Sequence, residues 1–593
     1  MASFFRWRIA NKLLPVLVKG NTESKINANS ISSIVKVSRL RGVATQLFVP
    51  WKRVTNLLQT ENLTNPADLV TRLRNQGLPT AEGFTDITLN QEPLGIFFTV
   101  DKHVFSKIVL TDICSEEENG IRSSCLFQDI PRKNLIVQCQ VPKIGETFQM
   151  THFRSAIHCN FISNINKLVG HTVVKVRHIA DGGLQSAILM TGYKEFGNEN
   201  DLLENPSTHL SKLFKAGSEQ YRNDFKFKDK VDICLRNMEK GDKAVLRDWH
   251  YLTNIALKHQ DTIYNTIGLT FDDSHFDSSY SSEIKEIKND LLEKNIACKK
   301  GNENLKFNVS LDSKKGAPAK YSDADTFLLN LSSAIFYCVN SKNKYNFDAM
   351  LYVAPTSQKY FLSLLPVLIK QLGFEWSENF QHIELQDIKH FERNKKYFDT
   401  ERVLKQAKRD ILFKFKSELN LYVDENLDNM AEVLGLSSLV IHDMKNRRKI
   451  DYAFEWKDML SFGRESGASL QYCHAGLKGL QRDSDHYFKT DIDTSPLLEK
   501  EAHDLVQHLA RFDEMVFKSY SLLEPCILLQ YLFTLWHLTD RATNVLKLDL
   551  KSDRLIVVKA RLMLLSATMK VLHQCLKILG LTPLETDYTI PDL

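Results

Sequence analysis

The residues best placed for chemistry stand at the start of an apolar helical pattern, where the chain reads Gln149-Met150-Thr151-His152. The positive end of a helix and its unpaired N–H groups favour anions, so His152 could hold a phosphate group. A histidine in the first turn of a helix without any ligand is an equally good interpretation. The stretch therefore predicts either a phosphate site or an ordinary helix start.

A second candidate follows a predicted strand, where Asp181 precedes two glycines and Gln185 stands four residues later. An Asp-Gly-Gly run is a turn signal, and that alone would explain it. Its carboxylate and the nearby amide could also bind a ligand. We favour a functional role for both side chains.

Three elements must position these residues. The run Asn134–Pro142 is apolar with a bias to β-branched residues, and Thr172–Ile179 is rich in valine, so both are predicted strands. Between them, apolar residues recur with a helical period from Phe148 to Ile162. Strand, helix and strand in this order form the βαβ unit of a parallel sheet. Ligands bind such sheets at the carboxyl ends of the strands.

The sequence on either side predicts further units. Residues 26–128 form a small α/β domain, with helices at 43–60 and 65–76 ahead of a strand at Gly95–Asp101. Residues 206–297 are helical and charged, with no convincing strand. They would form an insertion between the two halves of the sheet.

A second half-sheet follows this insertion. Ala349–Val353 is predicted as a buried strand and Gln358–Leu372 as the helix that follows it, so strands and helices alternate again as in a βαβ unit. From Thr400 almost every segment has a helical pattern. The fold class is therefore a Rossmann-type α/β core, at residues 129–398, followed by an all-α domain at residues 399–593.

Composition limits the class of protein. With 593 residues, 43% apolar and 25% charged, the chain is predicted to be globular with two to four domains. The net charge of +5 permits a polyanionic partner without demanding one. The ten cysteines include no C-x-x-C pair and no zinc-ligand spacing, so we expect free thiols and no metal site. The longest apolar run, Cys526–Leu538, is too short to span a bilayer.

The N-terminus is basic. The first 20 residues combine arginine, lysine, aromatic residues and leucine with no acid, which is typical of a mitochondrial presequence. A secretory signal fits less well, because the apolar run Leu13–Val18 is short and contains Pro15. The alternative is a basic first helix of the folded protein. We expect residues 1–25 to be a presequence and the protein to reside in the mitochondrial matrix.

Several strings resemble one protein family. Residues 434–477 contain Y-x-F-x-W ahead of L-Q-Y-x-H-A, and residues 560–585 resemble the helix that ends a DALR-type anticodon-binding domain. Upstream, THFRSAI at 151–157 and RHIADGGLQSAIL at 177–189 match in the same order. The chain thus resembles the mitochondrial branch of the arginyl-tRNA synthetases, which are class I aminoacyl-tRNA synthetases.

The resemblance implies a role for each unit. The Rossmann-type core would be the catalytic domain, with its helical insertion at 206–297. The small domain at 26–128 would touch the elbow of a tRNA. The helical domain at 399–593 would bind the anticodon.

The resemblance also assigns catalytic positions, and here the sequence departs from the family. The family's H-x-G-H reads Q-M-T-H, so Gln149 and His152 occupy degenerate catalytic positions and Thr151 replaces the glycine. Arg154 and Lys395, the latter in a mobile loop, are implied as further nucleotide-binding residues.

The implied arginine pocket contains Asp181, Gln185, Leu329 and Ser333. A guanidinium group needs a buried carboxylate, because an unpaired arginine in a pocket is costly. The family supplies it from Y-A-T-R-D, but the aligned residues here, L-N-L-S-S, contain no acid. The nearest acid in sequence is Asp325.

Contacts to tRNA are implied for Trp456, Tyr472, Lys559 and Arg561. The first two are aromatic residues suited to base stacking, and the last two are cations suited to phosphates. The basic run Lys445–Lys449 is a further phosphate-binding candidate.

Together these features predict a mitochondrial arginyl-tRNA synthetase-like protein that binds tRNA, most simply tRNA-Arg, as a monomer. The loop after His382 also departs from the family, since Glu392 stands where the family has a lysine. Because the ATP, arginine and loop motifs are altered, we expect aminoacylation to be impaired and a partner protein to be possible. The alternative is an active, divergent arginine-tRNA ligase that uses ATP with Mg²⁺. A structural protein that has lost RNA binding is the third hypothesis.

Overall fold

A computed structural model gives the architecture of the chain. It describes residues 2–17, 26–38, 45–58, 65–75, 83–115, 121, 124–300, 304–307, 324–386, 388–389, 399–417, 425–453, 456–459, 463, 465–482, 493–547 and 554–585. No described helix is long and apolar enough to cross a membrane. Within the same residues, no group of three or more His, Cys, Asp and Glu side chains is arranged to hold a metal ion.

The N-terminal domain is built on an antiparallel sheet of order β1-β2-β4-β3. Its strands are β1 (Lys36–Val37), β2 (Gln46–Pro50), β3 (Phe84–Gln91) and β4 (Leu94–Val100). Its helices are α1 (Ser3–Leu17), α2 (Ala28–Ser32), α3 (Trp51–Leu58), α4 (Pro66–Asn75) and α5 (Lys102–Cys114).

The prediction of one helix over 43–60 is wrong in its first part. Residues 46–50 alternate between buried and half-buried positions as strand β2, which pairs with β4. The helix begins only at Trp51, directly after Pro50. A proline fixes its own φ and favours an extended residue before it, so it suits the end of a strand and the approach to a helix.

The central sheet has five parallel strands in the order β11-β10-β5-β6-β7. They are β5 (Asn134–Cys139), β6 (Thr172–Ile179), β7 (Asp273–Phe276), β10 (Ala349–Pro355) and β11 (Phe380–Leu385). The parallel sheet and the strands predicted at its centre are confirmed. The described residues also form two small sheets of two strands each. One pairs β8 (Ala297–Lys300) with β9 (Asn304–Phe307), and the other pairs β12 (Ile388–Lys389) with β13 (Tyr452–Ala453).

Helices cover both faces of the sheet. The helices of the part that contains this sheet are α6 (Met150–Val169), α7 (Gly183–Phe196), α8 (Glu199–Glu204), α9 (Pro206–Asn223), α10 (Phe225–Glu239), α11 (Lys243–Ile267), α12 (Ser281–Glu293), α13 (Ala324–Tyr345) and α14 (Lys359–Gln371). The prediction that 206–297 contains no strand is wrong, because β7 lies inside it. This strand has only four residues, and its sequence, DSHF, lacks the β-branched run that marks β6.

The C-terminal part is helical, as predicted. It contains α15 (Thr400–Ser417), α16 (Glu425–Met444), α17 (Trp456–Met459), α18 (Gly467–Arg482), α19 (Lys500–Leu509), α20 (Phe512–Leu522), α21 (Pro525–Val545) and α22 (Leu555–Ile578). Helix α6 packs against three strands of the sheet and against α16, α20 and α22. Because it is enclosed from both sides, most of its residues are buried, and it ends at Gly170 with φ of 110°.

Helix α1 is part of this folded body. Its Arg6 is fully buried and contacts Asp513 on α20, while a second guanidinium nitrogen donates to Glu514 at 2.7 Å. These two carboxylates outweigh the burial, which favours the neutral form, and raise the pKa of Arg6. Removal of residues 1–25 would take away Arg6 and leave Asp513 buried without this cation. The presequence over residues 1–25 stays a prediction, with a basic first helix as its alternative.

Candidate functional site

The site lies at the carboxyl ends of β5, β6 and β7, where the loop after β6 and the residue after β7 meet helix α13. Gly182 and Gly183 form the turn that starts α7, and Gly183 has φ of 79°, a conformation that favours glycine. A Cβ atom at Gly183 would stand 3.5 Å from the side chain of Leu329. The turn therefore lies against Leu329 on α13.

Asp181 is completely buried in this turn. Its Oδ1 accepts the backbone N–H of Ser278 at 2.9 Å, and its Oδ2 accepts the Ser278 hydroxyl at 2.6 Å. Burial raises the pKa of Asp181, and the Ser278 hydrogen bonds oppose that shift. Asp181 thus holds the segment after β7 against the segment after β6.

The second carboxyl group is Asp277, which follows β7 directly. Its Oδ1 lies 2.6 Å from His178 Nε2 on β6 and also accepts the hydroxyl of Ser333 on α13. Ser333 Oγ is in turn 2.9 Å from His178 Nε2. The predicted pocket residue Ser333 therefore belongs to a cluster of three side chains, which we call the Asp277 cluster (His178, Asp277 and Ser333).

His178 is held firmly within this cluster. Its ring stacks on Tyr337, with 5.2 Å between ring centroids and 8° between planes. Burial favours the neutral ring, but Asp277, with a smaller contribution from Asp181, outweighs it and raises the pKa of His178. The side chains of His178 and Asp277 are each 15% exposed to solvent. The pair is therefore partly exposed at the carboxyl edge of the sheet, and Asp277 favours the protonated form of the ring.

The Asp277 cluster does not have the geometry of a hydrolytic triad. In a Ser-His-Asp triad, the acid bonds one ring nitrogen and the serine bonds the other. Here both partners contact Nε2 of His178. The cluster is suited to holding charge rather than to activating a nucleophile.

The segment aligned with the family's Y-A-T-R-D contains no acid, but Asp277, which follows β7, accepts the hydroxyl of Ser333 on α13. Asp325, the nearest acid in sequence, pairs instead with Lys288 on α12. Asp277 and His178 were missed because β7 was missed: without that strand, nothing in the sequence places residue 277 at the edge of the sheet. An acid directly after a short polar strand was the available signal.

Gln185 stands on the first turn of α7 with an exposed side chain. Lys143 Nζ, from the loop after β5, lies 3.5 Å from its Oε1. These two side chains form the outer rim of the cleft, between the Asp277 cluster and the amino end of α6.

At that end of α6, Gln149 is the residue that precedes the helix. Its backbone N–H donates to Nδ1 of His152 at 3.0 Å, and His152 is only 1% exposed. Burial lowers the pKa of His152, so the ring is neutral near pH 7. Thr151 is half-buried, and its carbonyl accepts the hydroxyl of Ser155 at 3.1 Å. His152 therefore caps its own helix in this structure.

Arg154, predicted to contact the nucleotide, is buried, and its guanidinium contacts the segments that follow β11 and α16. Its guanidinium donates to the carbonyl of Gln386 at 2.6 Å and lies over the ring of Tyr452 at 5.0 Å. Its Nε is 3.5 Å from Asp443 Oδ2 on α16. Arg154 is thus buried between the sheet and the helical domain. The other predicted nucleotide residue, Lys395, lies outside the described residues.

The predicted tRNA contacts lie in the helical domain, and two of them have internal partners. Trp456 donates its indole N–H to Asp410 at 2.7 Å, and Arg561 donates to Glu499 at 2.9 Å. Tyr472 and Lys559 are half-buried on α18 and α22. Burial raises the pKa of Tyr472, which keeps its hydroxyl protonated.

Comparisons with known proteins agree with this arrangement. The family described as tRNA synthetases class I (R), catalytic domain, matches residues 122–456, and the DALR anticodon binding domain matches residues 470–586. A probable mitochondrial arginine–tRNA ligase of Mus musculus is 29% identical over 98% of this chain and 99% of its own length. The Homo sapiens counterpart is 28% identical with the same coverage. The structure of Thermus thermophilus arginyl-tRNA synthetase superposes with a TM-score of 0.73 over 98% of this chain and 100% of that chain, at 15% identity.

Proposed function

The chain belongs to the class I tRNA synthetase family whose catalytic domain spans residues 122–456, and from this premise we propose that it is an arginine–tRNA ligase. The reaction joins the carboxyl group of arginine to ATP, releasing pyrophosphate, and then transfers the arginyl group to a ribose hydroxyl of tRNA, releasing AMP. The observation that carries the proposal is the pair of carboxyl groups, Asp181 and Asp277, in the pocket at the ends of β6 and β7.

The pocket fits a cationic side chain. Asp277 is partly exposed, and its Oδ2 would accept a charge-assisted hydrogen bond from a guanidinium group. Leu329 and the glycine turn before α7 would flank the aliphatic part of the substrate. Gln185, at the rim, would contact the more polar end.

The amino end of α6 fits a phosphate group of ATP. Its first turn contains no acidic side chain, and the helix dipole favours an anion there. Lys143 stands at the adjacent rim as a cation. When bound, Mg²⁺ would neutralise phosphate charge; the protein residues that we propose for this end are Gln149, Thr151, His152 and Lys395.

The tRNA would lie along the helical domain. The loop Lys445–Lys449 presents three exposed cations, Lys445, Arg447 and Lys449, while Arg448 turns inward and donates to the carbonyl of Glu384 at 3.1 Å. Exposed lysine and arginine side chains bind phosphates and make the affinity dependent on salt. With Trp456, Tyr472, Lys559 and Arg561, this loop forms the proposed tRNA-binding face.

We propose mitochondrial import for the protein, with the matrix as its site of action, tRNA-Arg as its RNA and a monomer as its state. The basic composition of helix α1 supports import, and its buried Arg6 supports retention of that helix in the mature chain. We also propose three functional units, at 26–128, 129–398 and 399–593.

A second candidate function is tRNA binding without aminoacylation. One observation favours it: Gln149 replaces a histidine at the amino end of α6, and the remaining His152 is directed into its own helix. A protein of this kind would bind tRNA with the helical domain but would not form arginyl-adenylate.

The two candidates are separated by a charging assay. The purified full-length chain is incubated with ATP, Mg²⁺, mitochondrial tRNA and labelled arginine, with labelled citrulline as the neutral, isosteric control. We expect arginine, and not citrulline, to become attached to tRNA. Binding of tRNA without any attachment of arginine would exclude the ligase and support the second candidate.

A further inference from the structure

In the Asp277 cluster, the carboxylate of Asp277 lies within hydrogen-bond distance of His178 and favours its protonated, cationic form. Nε2 of His178 stands 2.6 Å from Asp277 Oδ1, which is the distance of a charge-assisted hydrogen bond. Ser333 donates to the same oxygen. Among the described residues, no side chain donates to Oδ2, so this oxygen is the acceptor left for a ligand.

A protonated His178 competes with a cationic ligand. While the imidazolium pairs with Asp277, the net charge of the two side chains is zero, and an incoming guanidinium gains little attraction from them. Once a guanidinium binds Asp277, its positive charge disfavours a second cation a few ångströms away. The two cations therefore exclude one another at a single carboxylate.

The other groups around His178 do not remove this competition. Tyr337 stacks on its ring as a neutral side chain, because burial raises the pKa of that tyrosine well above its usual value. His275, on β7, has a lowered pKa through burial and is neutral near pH 7. Arg177, the preceding residue on β6, is paired with Asp261 on α11. Asp181 is engaged by Ser278.

We propose that His178 is a specificity-determining residue that acts as a resident counter-cation for Asp277, so that arginine enters the pocket by displacing a proton from His178 into solvent. The inference rests on the proposed function and adds a control of substrate binding to it. The proton is the only species exchanged: protonated His178 and arginine give neutral His178, bound arginine and one solvent proton.

Two consequences distinguish this arrangement from a fixed acidic pocket. Arginine affinity should rise with pH until His178 is neutral, by up to about tenfold for each pH unit. Binding should also release up to one proton. Citrulline has the same shape without the charge, so its weak binding should vary little with pH. Discrimination between the two amino acids should therefore be smallest under acidic conditions.

The test is titration calorimetry of the full-length protein with arginine between pH 6 and pH 8.5, in two buffers that differ in ionisation enthalpy. We expect the dissociation constant for arginine to fall as the pH rises and the buffers to report released protons. In His178→Gln, which keeps a neutral hydrogen-bonding side chain, both effects should disappear. His250→Gln, at an exposed position on α11, is the matched control and should retain both.

The outcomes separate the inference from the proposed function. Arginine binding that is independent of pH, with no released proton in the unaltered protein, would overturn the role of His178 and leave the ligase intact. Absence of arginine binding at pH 8.5, where the competition is weakest, would overturn both. The measurement on the unaltered protein is decisive even when His178→Gln does not fold.

Discussion

At the scale of single residues, the position of His152 decides how the amino end of α6 is interpreted. Its ring accepts the backbone N–H of Gln149, so it has a structural contact that does not require ATP. A residue can cap its helix through one ring nitrogen and still offer the other to a ligand. The structural and chemical roles of His152 can therefore be separated by substitution.

We expect His152→Ala to lower the free energy of unfolding by about 1 kcal/mol, because the cap acceptor is lost, and to reduce charging of tRNA. In His152→Asn, a short side-chain oxygen can replace the cap acceptor but not the imidazole. Its stability should be close to that of the unaltered protein, while charging should stay low. Urea unfolding and initial charging rates measure the two effects. Equal charging by all three proteins would show that His152 has no role in the reaction.

At the scale of elements, α6 joins the two halves of the molecule. On α16, Asp443 is buried and receives the Tyr452 hydroxyl at 2.6 Å, with His158 Nε2 at 3.1 Å and Arg154 Nε at 3.5 Å from its oxygens. Burial alone would raise the pKa of Asp443, but Arg154 and His158 outweigh it and lower this pKa to about 2. The carboxylate therefore stays charged inside the protein.

Loss of the Asp443 charge should weaken the packing of α6 against the helical domain. We expect Asp443→Asn to lower the free energy of unfolding by about 3 kcal/mol, because Arg154 is left buried without a counter-charge. Asp428→Asn, also on α16, breaks only a surface pair with Lys408 and should cost less than about 1 kcal/mol. Chemical denaturation of the two variants measures the difference. Equal losses would contradict the structural role of the buried cluster.

The elements also show what the sequence could predict. The apolar runs of β5 and β6 and the helical period of α6 are strong local signals, and the parallel sheet follows from their order. Strand β7 has only four residues, three of them polar, so no local signal marks it, and Asp277 was missed with it. The orientation of the Arg154 side chain could not be predicted from the sequence either. Helix α6 is buried on all sides, so its pattern of apolar residues does not show which face meets the sheet.

At the scale of the whole molecule, helix α1 connects the first residues of the chain to the helical domain. Arg6 contacts Asp513, and the same carboxylate accepts the hydroxyl of Ser124 at 2.8 Å. A buried ion pair stabilises weakly relative to apolar residues, but loss of one partner is costly. Arg6 is therefore part of the folded core, while removal of residues 1–25 as a presequence stays a prediction.

We expect Arg6→Met to lower the free energy of unfolding by about 3–5 kcal/mol, because Asp513 is left buried without a cation. Lys12→Met, on the same helix but partly exposed, should change it by less than about 1 kcal/mol. Thermal unfolding compares the two. Mass spectrometry of the mature protein should also detect a peptide that includes Arg6. Its absence would show that the helix is removed and that the fold tolerates the loss.

The central claim is that Asp277 recognises the arginine side chain, and steady-state charging by Asp277→Asn tests it most directly. Loss of a buried partner of a charged ligand costs about 2–5 kcal/mol, so kcat/KM for arginine should fall by about 30-fold or more, while KM for tRNA should stay unchanged. Glu283→Gln, an exposed acid on α12, should charge tRNA like the unaltered protein. An Asp277→Asn protein with the kcat/KM of the unaltered chain for arginine would contradict the account.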